Sequence, residues 1–280
     1  MTTDVLEQAV ERLRKAGIES PRLEARLLLA HAMGVAQEDL VTGRNAPNAE
    51  QLAQFSALLA RREAREPIAY ILGKREFWSL DFAVGPGVLI PRPESETLVE
   101  TALAEFPASN APLRVLDLGT GSGCLLIAFL KERGHAHGIG VDILPEALAW
   151  AERNVRAHGM ANRVKLICGA WAEDVDGVFD VILCNPPYVA DTERALLAPE
   201  VARYEPSIAL DAGKDGLDAY RQLAPQIRDR LRSHGRAYVE VGQGQATDVA
   251  TIFEGSGLSV VRTVKDLAGV SRCLVATMPQ

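Results

Sequence analysis

Apolar residues recur at helical spacing from Thr3 to about Arg65: Val5, Leu6, Val10 and Leu13, then Leu23, Leu27 and Ala30, then Leu52, Phe55, Leu58 and Leu59. This pattern predicts a small bundle of helices. Ala16-Gly17 closes one helix, Ser20-Pro21 supplies a cap and a first-turn proline, and Asn45-Ala46-Pro47-Asn48 makes a loop. Between Pro67 and Pro91 the pattern shortens. Residues 77–84 and 88–90 read as two short strands flanking the turn Gly85-Pro86-Gly87, and Glu94 to Glu105 resumes as a helix.

From residue 113 onward short apolar runs alternate with helical patterns; the runs cover 113–118, 138–142, 164–168, 179–184, 237–242, 258–264 and 273–278. Such alternation predicts an α/β domain with a mostly parallel sheet and helices on both faces. Ligands of open sheets sit at the carboxyl ends of the strands. The expected division is a helical domain over 1–73, a β-hairpin linker over 74–92 and an α/β domain over 93–280.

Charge and composition narrow the classes. The chain has 280 residues, a formal charge of -7 and 48% hydrophobic positions, which suits a folded globular protein and not one that grips long nucleic acid by releasing counterions. Cys124, Cys168, Cys184 and Cys273 are far apart and form no C-x-x-C pair, so neither a disulfide framework nor a zinc site is expected. No apolar run approaches the roughly 20 residues that span a bilayer, and the mixed-charge start is unlike a signal peptide. A cytoplasmic, metal-free monomer with no membrane association is expected.

Candidate chemistry gathers at the strand ends. Asp117-Leu118-Gly119-Thr120-Gly121-Ser122-Gly123 follows the first strand of the α/β region and opens a helix at Cys124. Its glycines let the backbone turn sharply and approach a ligand. A dinucleotide loop reads G-x-G-x-x-G, whereas this one reads G-x-G-x-G after an acid that would repel a pyrophosphate but suits the ammonium of a methionine moiety. Asp142, nineteen residues after Gly123 and ending the next strand, can accept hydrogen bonds from two ribose hydroxyls or cap the helix that follows. Trp171, after the third strand, can cover an adenine ring or fill a gap.

Asn185-Pro186-Pro187-Tyr188 ends the fourth strand. Two prolines stiffen the backbone, and Asn185 and Pro186 can present carbonyl oxygens to the two N–H donors of an amide or exocyclic amine. A nitrogen held so can be aimed at a sulfonium methyl for in-line displacement, with Tyr188 stacked on the planar group. The expected catalytic residues are Asn185, Pro186 and Tyr188, with Pro187 completing the substrate contact. This pattern leaves adenine, guanine and glutamine open as acceptors.

With these residues in place, the chain resembles the peptide chain release factor glutamine methyltransferase family almost from end to end. The resemblance includes Glu66-Pro67-Ile68-Ala69-Tyr70-Ile71-Leu72-Gly73, Phe77-Trp78, the run from Val88 to Glu96 with its Pro91-Arg92-Pro93-Glu94 core, Glu205-Pro206 and Asp215-Gly216-Leu217-Asp218. It implies a Rossmann-like seven-stranded class I methyltransferase domain behind a helical bundle and a β-hairpin linker. It also implies S-adenosyl-L-methionine as cofactor, S-adenosyl-L-homocysteine as product, and the glutamine of the Gly-Gly-Gln loop of class 1 release factors as substrate. By resemblance, Gly119, Thr120, Gly121, Ser122, Gly123, Asp142, Trp171 and Asn185 contact the cofactor, and Asn185 to Tyr188 hold the glutamine amide.

One departure stands out. Many such enzymes carry an acid near the aromatic residue to bond the adenine amine, and Ala170 cannot do so, which leaves Glu173 or a backbone group for that task. Arg92 and Glu94 either shape the mouth of the site or pair within the linker. The rival readings are a ribosomal protein glutamine methyltransferase and a nucleic-acid adenine or guanine amino-methyltransferase; the latter would need a basic recognition region that the acidic chain does not offer. The helical domain is expected to recognise the release factor, because the α/β domain already accounts for cofactor and chemistry.

Overall fold

The structure is a computed structural model that describes residues 2–41, 46–107 and 112–279. By internal packing the chain divides into two compact units, Met1–Lys74 with Ala198–Tyr204, and Arg75–Leu197 with Glu205–Gln280.

The first unit contains α1 (Thr2–Lys15), α2 (Pro21–Met33), α3 (Gln37–Val41), α4 (Ala49–Glu63) and α5 (Ile68–Leu72). Leu13, Leu28, Leu29, Phe55 and Leu59 form its core. The buried stripe of α2 is Ala25, Leu28, Leu29 and Ala32, an i, i+3, i+4, i+7 face. Of the expected Leu23, Leu27 and Ala30, Ala30 is buried, Leu27 half-buried and Leu23 51% exposed. Pro21 opens α2, but the Ser20 hydroxyl makes no capping bond. Asn48 does cap α4: it accepts from the Gln51 N–H, while Gln51 accepts from the Asn48 N–H. Asn45 of the expected loop lies outside the described residues.

The second unit opens with a hairpin of β1 (Lys74–Phe77) and β2 (Leu80–Ala83). Its turn is Trp78-Ser79, not Gly85-Pro86-Gly87, and 88–90 is not a strand. Trp78 and Ser79 both have positive φ, 53° and 57°, the left-handed pair that a two-residue hairpin turn needs. Carboxylates satisfy the turn: Glu96 accepts from the Trp78 N–H at 2.8 Å and Glu76 from the Ser79 N–H at 2.6 Å. Gly85 serves another purpose, since a Cβ there would stand 2.4 Å from the Trp150 ring.

Beyond the hairpin come α6 (Glu96–Glu105), β3 (Arg114–Leu118), α7 (Cys124–Glu132), β4 (His137–Asp142), α8 (Pro145–Ala157), β5 (Val164–Cys168) and β6 (Phe179–Cys184). Then follow α9 (Pro199–Tyr204), which packs with the first unit, α10 (Asp218–Arg230), β7 (Leu231–Glu240), α11 (Ala246–Gly255), β8 (Ser259–Lys265) and β9 (Ser271–Thr277). The expected seven-stranded α/β sheet is present, in the order β5-β4-β3-β6-β7-β9-β8, and β9 alone runs antiparallel to its neighbours.

Central strands are buried on both faces, and their side chains divide by period two. On β6, Val181 and Leu183 face the cluster of α6 and α7, while Ile182 and Cys184 face that of α10 and α11. Cys184 and Cys273 are buried, whereas Cys168 is exposed. Strand order reverses at β3, which has β4 on one side and β6 on the other. Crevices open at such reversals, so the geometry of the sheet alone directs attention to the ends of β3, β4 and β6. Among the described residues, no helix is long and apolar enough to cross a membrane.

Candidate active site

A cavity of about 400 Å³ opens at that reversal. Gly119, Thr120, Gly121 and Ser122 line it after β3, Asp142 after β4, Trp171 after β5, and Asn185 and Pro187 after β6. Thus most of the residues singled out from sequence meet in one crevice. Gly119 shows how closely they meet. Its φ is +71°, and a Cβ there would lie 3.5 Å from Trp171 Cζ3 and 3.8 Å from the Asn185 carbonyl oxygen. A side chain there would strain the backbone through the positive φ, while meeting both neighbours only at ordinary van der Waals distance.

The glycine loop is held from two sides. The N–H groups of Gly119 and Thr120 both donate to the Val141 carbonyl, at 2.9 and 2.8 Å. The Gly121 N–H donates to Asp142 Oδ2 at 2.8 Å. Asp142 Oδ1 accepts from the Leu144 N–H at 2.9 Å, so the carboxylate also holds the turn into α8. Each carboxylate oxygen has a second lone pair, which leaves Asp142 able to accept from a bound ligand as well. Burial raises its pKa, and the bonds from Leu144 and Gly121 work against that rise.

Asp117 does not line the cavity. Its carboxyl is 0% exposed and accepts from the Thr120 hydroxyl at 2.6 Å. Burial pushes its pKa up to about 7, against the lowering effect of the Thr120 bond. The acid therefore braces the loop through the Thr120 hydroxyl, while its Oδ1 is buried without a hydrogen-bond partner among the described residues.

Trp171 is held at φ 55°, and its Nε1–H donates to Gln222 Oε1 at 3.0 Å. Gln222 lines the cavity beside Ala170 and Trp171, whereas Glu173 is exposed and does not. The polar side chain nearest the indole is thus on α10, in a place that local sequence did not indicate.

Asn185 reaches across the cavity and donates through Nδ2 to Ser95 Oγ at 2.9 Å, which leaves Oδ1 without a donor among the described residues. Pro186 is buried, and neither it nor Tyr188 is among the lining residues. Tyr188 is half-buried, with its hydroxyl 3.5 Å from Glu240 Oε1. Burial, with the Glu240 charge adding to it, pushes the phenol up to about 12, so it stays protonated.

Arg92 lines the cavity, and its partner is Glu205 instead of the Glu94 considered from sequence. Arg92 donates to Glu205 Oε1 at 2.7 Å, and Glu205 Oε2 accepts from the Ile90 N–H at 3.1 Å. This one buried carboxylate ties the 90–92 segment to the segment that carries Pro206 and Ile208, and both segments line the cavity.

Comparison with known proteins gives the site its family. Residues 4–73 match the model of the PrmC N-terminal domain, and residues 95–202 match the Methyltransferase small domain. The release factor glutamine methyltransferase of Rhodospirillum rubrum is 47% identical over 273 residues, covering 97% of this chain and 83% of that protein. Its namesake from Cereibacter sphaeroides is 46% identical over 277 residues, covering 99% and 98%.

The chain belongs to the release factor glutamine methyltransferase family.

The fold agrees with solved methyltransferase structures: one from Pyrococcus furiosus superposes with a TM-score of 0.52 at 19% identity, covering 79% of this chain and 95% of that one. In this release factor glutamine methyltransferase family member, Ser95 and Gln222 join the expected residues lining the cavity, and the buried Glu205 and Glu240 bond the lining residues Arg92 and Ser95. The run from Val88 to Glu96 hinted at Ser95, and Glu205-Pro206 at Glu205, but only as family pattern. Gln222 and Glu240 had no local signal.

Proposed function

We propose that this chain transfers a methyl group from S-adenosyl-L-methionine to the side-chain amide nitrogen of the glutamine in the Gly-Gly-Gln motif of class 1 peptide chain release factors, tuning translation termination. Membership of the family supports the reaction. The observation that carries it to these residues is that the glycine loop, Asp142, Trp171 and Asn185 line one cavity.

The cavity fits the cofactor. The glycine loop offers close backbone approach, Asp142 retains lone pairs for two ribose hydroxyls, and Trp171 gives the adenine an aromatic wall. Gln222 replaces the missing acid at position 170 as the side chain able to bond the adenine amine. S-adenosyl-L-methionine brings an electrophilic methyl whose departure leaves the neutral thioether S-adenosyl-L-homocysteine.

The protein's task is to make a poor nucleophile react. An amide nitrogen shares its lone pair with its carbonyl, so attack requires that the lone pair be aimed and the growing positive charge stabilised. Asn185 Oδ1 and the Pro186 carbonyl accept the two amide N–H bonds, fix the nitrogen toward the methyl and stabilise that charge. The proton becomes acidic as the new N–C bond forms and leaves to water.

Residues 1–73 form the release factor recognition domain in this reading, 74–92 the hairpin linker and 93–280 the methyltransferase domain, acting as a cytoplasmic monomer without a nucleic-acid substrate. One experiment tests the whole. Labelled S-adenosyl-L-methionine is supplied with a class 1 release factor, with the same factor lacking its loop glutamine, with ribosomal protein and with duplex DNA. Label in the first alone is the expected result, and label in any other substrate overturns the assignment.

A further inference from the structure

Glu240 ends β7 with 1% of its surface exposed, and the chemistry described so far gives it no task. Its surroundings do. Resting on the reading of Asn185 as the residue that holds the acceptor amide, the chemistry requires that Asn185 present an oxygen to the substrate. An asparagine side chain can present either end. Which end faces the cavity is decided by what holds the other end.

The other end is held by a hydrogen-bond chain of one polarity. Asn185 Nδ2 donates to Ser95 Oγ at 2.9 Å. Ser95 has a single hydroxyl proton, and it donates that proton to Glu240 Oε2. A carboxylate only accepts, so Ser95 must donate to Glu240 and can only accept from Asn185. The amide is then obliged to turn Nδ2 toward Ser95 and Oδ1 away from it. Glu240 is fixed in turn: its Oε1 lies 3.5 Å from the Tyr188 hydroxyl, and its backbone carbonyl accepts from the Tyr220 hydroxyl at 3.0 Å.

We propose that Glu240 is a positioning residue for methyl transfer, which through Ser95 locks the Asn185 side chain with its oxygen toward the substrate amide.

The lock depends on the charge of Glu240. A protonated Glu240 donates to Ser95 Oγ, Ser95 becomes free to donate to Asn185 Oδ1, and the amide can reverse to offer the substrate a donor where an acceptor is needed. Titration is set by everything that faces the carboxyl. Arg92 and Glu94 precede α6, Cys124 opens α7, Cys184 ends β6, Tyr188 follows it, Tyr220 lies on α10, and Arg272 and Cys273 lie on β9. Burial holds Glu240 up at about 7, against the lowering effects of the Ser95 bond and of Arg272. Turnover should therefore decline on the acid side near neutrality.

The test compares the pH profile of kcat for methylation of a class 1 release factor by the full chain and by Ser95→Ala, Glu240→Gln and the double variant. Glutamine lacks the charge that enforces the polarity, and alanine breaks the chain. Each single variant is expected to lose about tenfold in kcat above pH 8 and to lose the acid limb, with the Kd for S-adenosyl-L-homocysteine within about twofold of the parent. The double variant should be no slower than the slower single one, because both act through one chain. Ser95→Thr, which keeps the hydroxyl, should restore the acid limb. If Glu240→Gln does not fold, Ser95→Ala carries the same comparison. Retention of the acid limb in Ser95→Ala, or additive losses in the double variant, overturns the proposal while leaving the function intact. Failure of the parent to methylate the loop glutamine overturns both.

Discussion

Asp142 Oδ2 and the Gly121 N–H lie 2.8 Å apart, so the acid that ends β4 is bonded to the glycine loop that follows β3. With Oδ1 on the Leu144 N–H, both carboxylate oxygens face backbone donors. Asp142→Asn exchanges one acceptor for an NH2 group that meets an N–H head-on. One bond is lost and one acceptor for the ribose disappears, a change of about 1–3 kcal/mol. The Kd for S-adenosyl-L-methionine, measured by calorimetry, should rise about ten- to hundredfold. An unaltered Kd would show that the ribose is not held there.

Asn185→Ala removes the side-chain oxygen while leaving the backbone between two strand-end motifs in place. The glycine loop and Asp142 remain, so cofactor affinity should change only a few-fold. Single-turnover methylation should slow by about 10²–10³, the range for loss of one pre-set acceptor or donor at a charged transition state. Equal losses in affinity and rate would place Asn185 in cofactor binding alone.

The residues of these two predictions were legible in sequence because each lies in a short motif at a strand end, and apolar alternation places strand ends. Elements that depend on distant partners were not. Trp78 and Ser79 adopt left-handed backbone with neither glycine nor asparagine to announce the turn, since carboxylates at 76 and 96 supply the bonds. The Ser95–Glu240 bond joins residues 145 positions apart, and no local pattern records it. The face of α2 is ambiguous for a related reason: apolar residues stand at 23, 25, 27–30, 32 and 33, nearly all round the helix, and only the packing partners select the buried stripe.

Asp117 should make stability depend on pH. Its folded pKa of about 7 lies above the ordinary carboxyl value of 3.8, so the folded state binds its proton more tightly than the unfolded chain does. The stability this group contributes is complete below about pH 4 and is lost as pH rises through 7. Asp117→Asn is neutral throughout and lacks that loss. The melting temperature of the variant relative to the parent should therefore climb between pH 5 and pH 8. A constant difference across that range would show that Asp117 is not the titrating group.

Arg62 anchors α9 within the helical unit. It is 5% exposed, and its guanidinium bonds Glu24, the Glu66 carbonyl at 3.2 Å and Glu200 Oε1 at 2.9 Å. Arg65 supports the same Glu200 through a bond of 2.7 Å to Oε2. Arg62→Met keeps the bulk of the side chain but strands the Glu24 carboxylate and leaves Glu200 with one partner. Removing one member of a buried ion group while the others stay charged destabilises by about 3–5 kcal/mol. Arg65 should hold the loss toward the lower end, and adding Glu24→Gln should recover part of it by removing the stranded charge. Thermal unfolding measures the first effect, and limited proteolysis of the segment around Ala198–Tyr204 measures the second. Because that segment continues directly into Glu205 and Pro206, its release should also raise the Michaelis constant for the release factor more than that for the cofactor. Equal rises in both would mean that α9 supports the fold without serving the substrate.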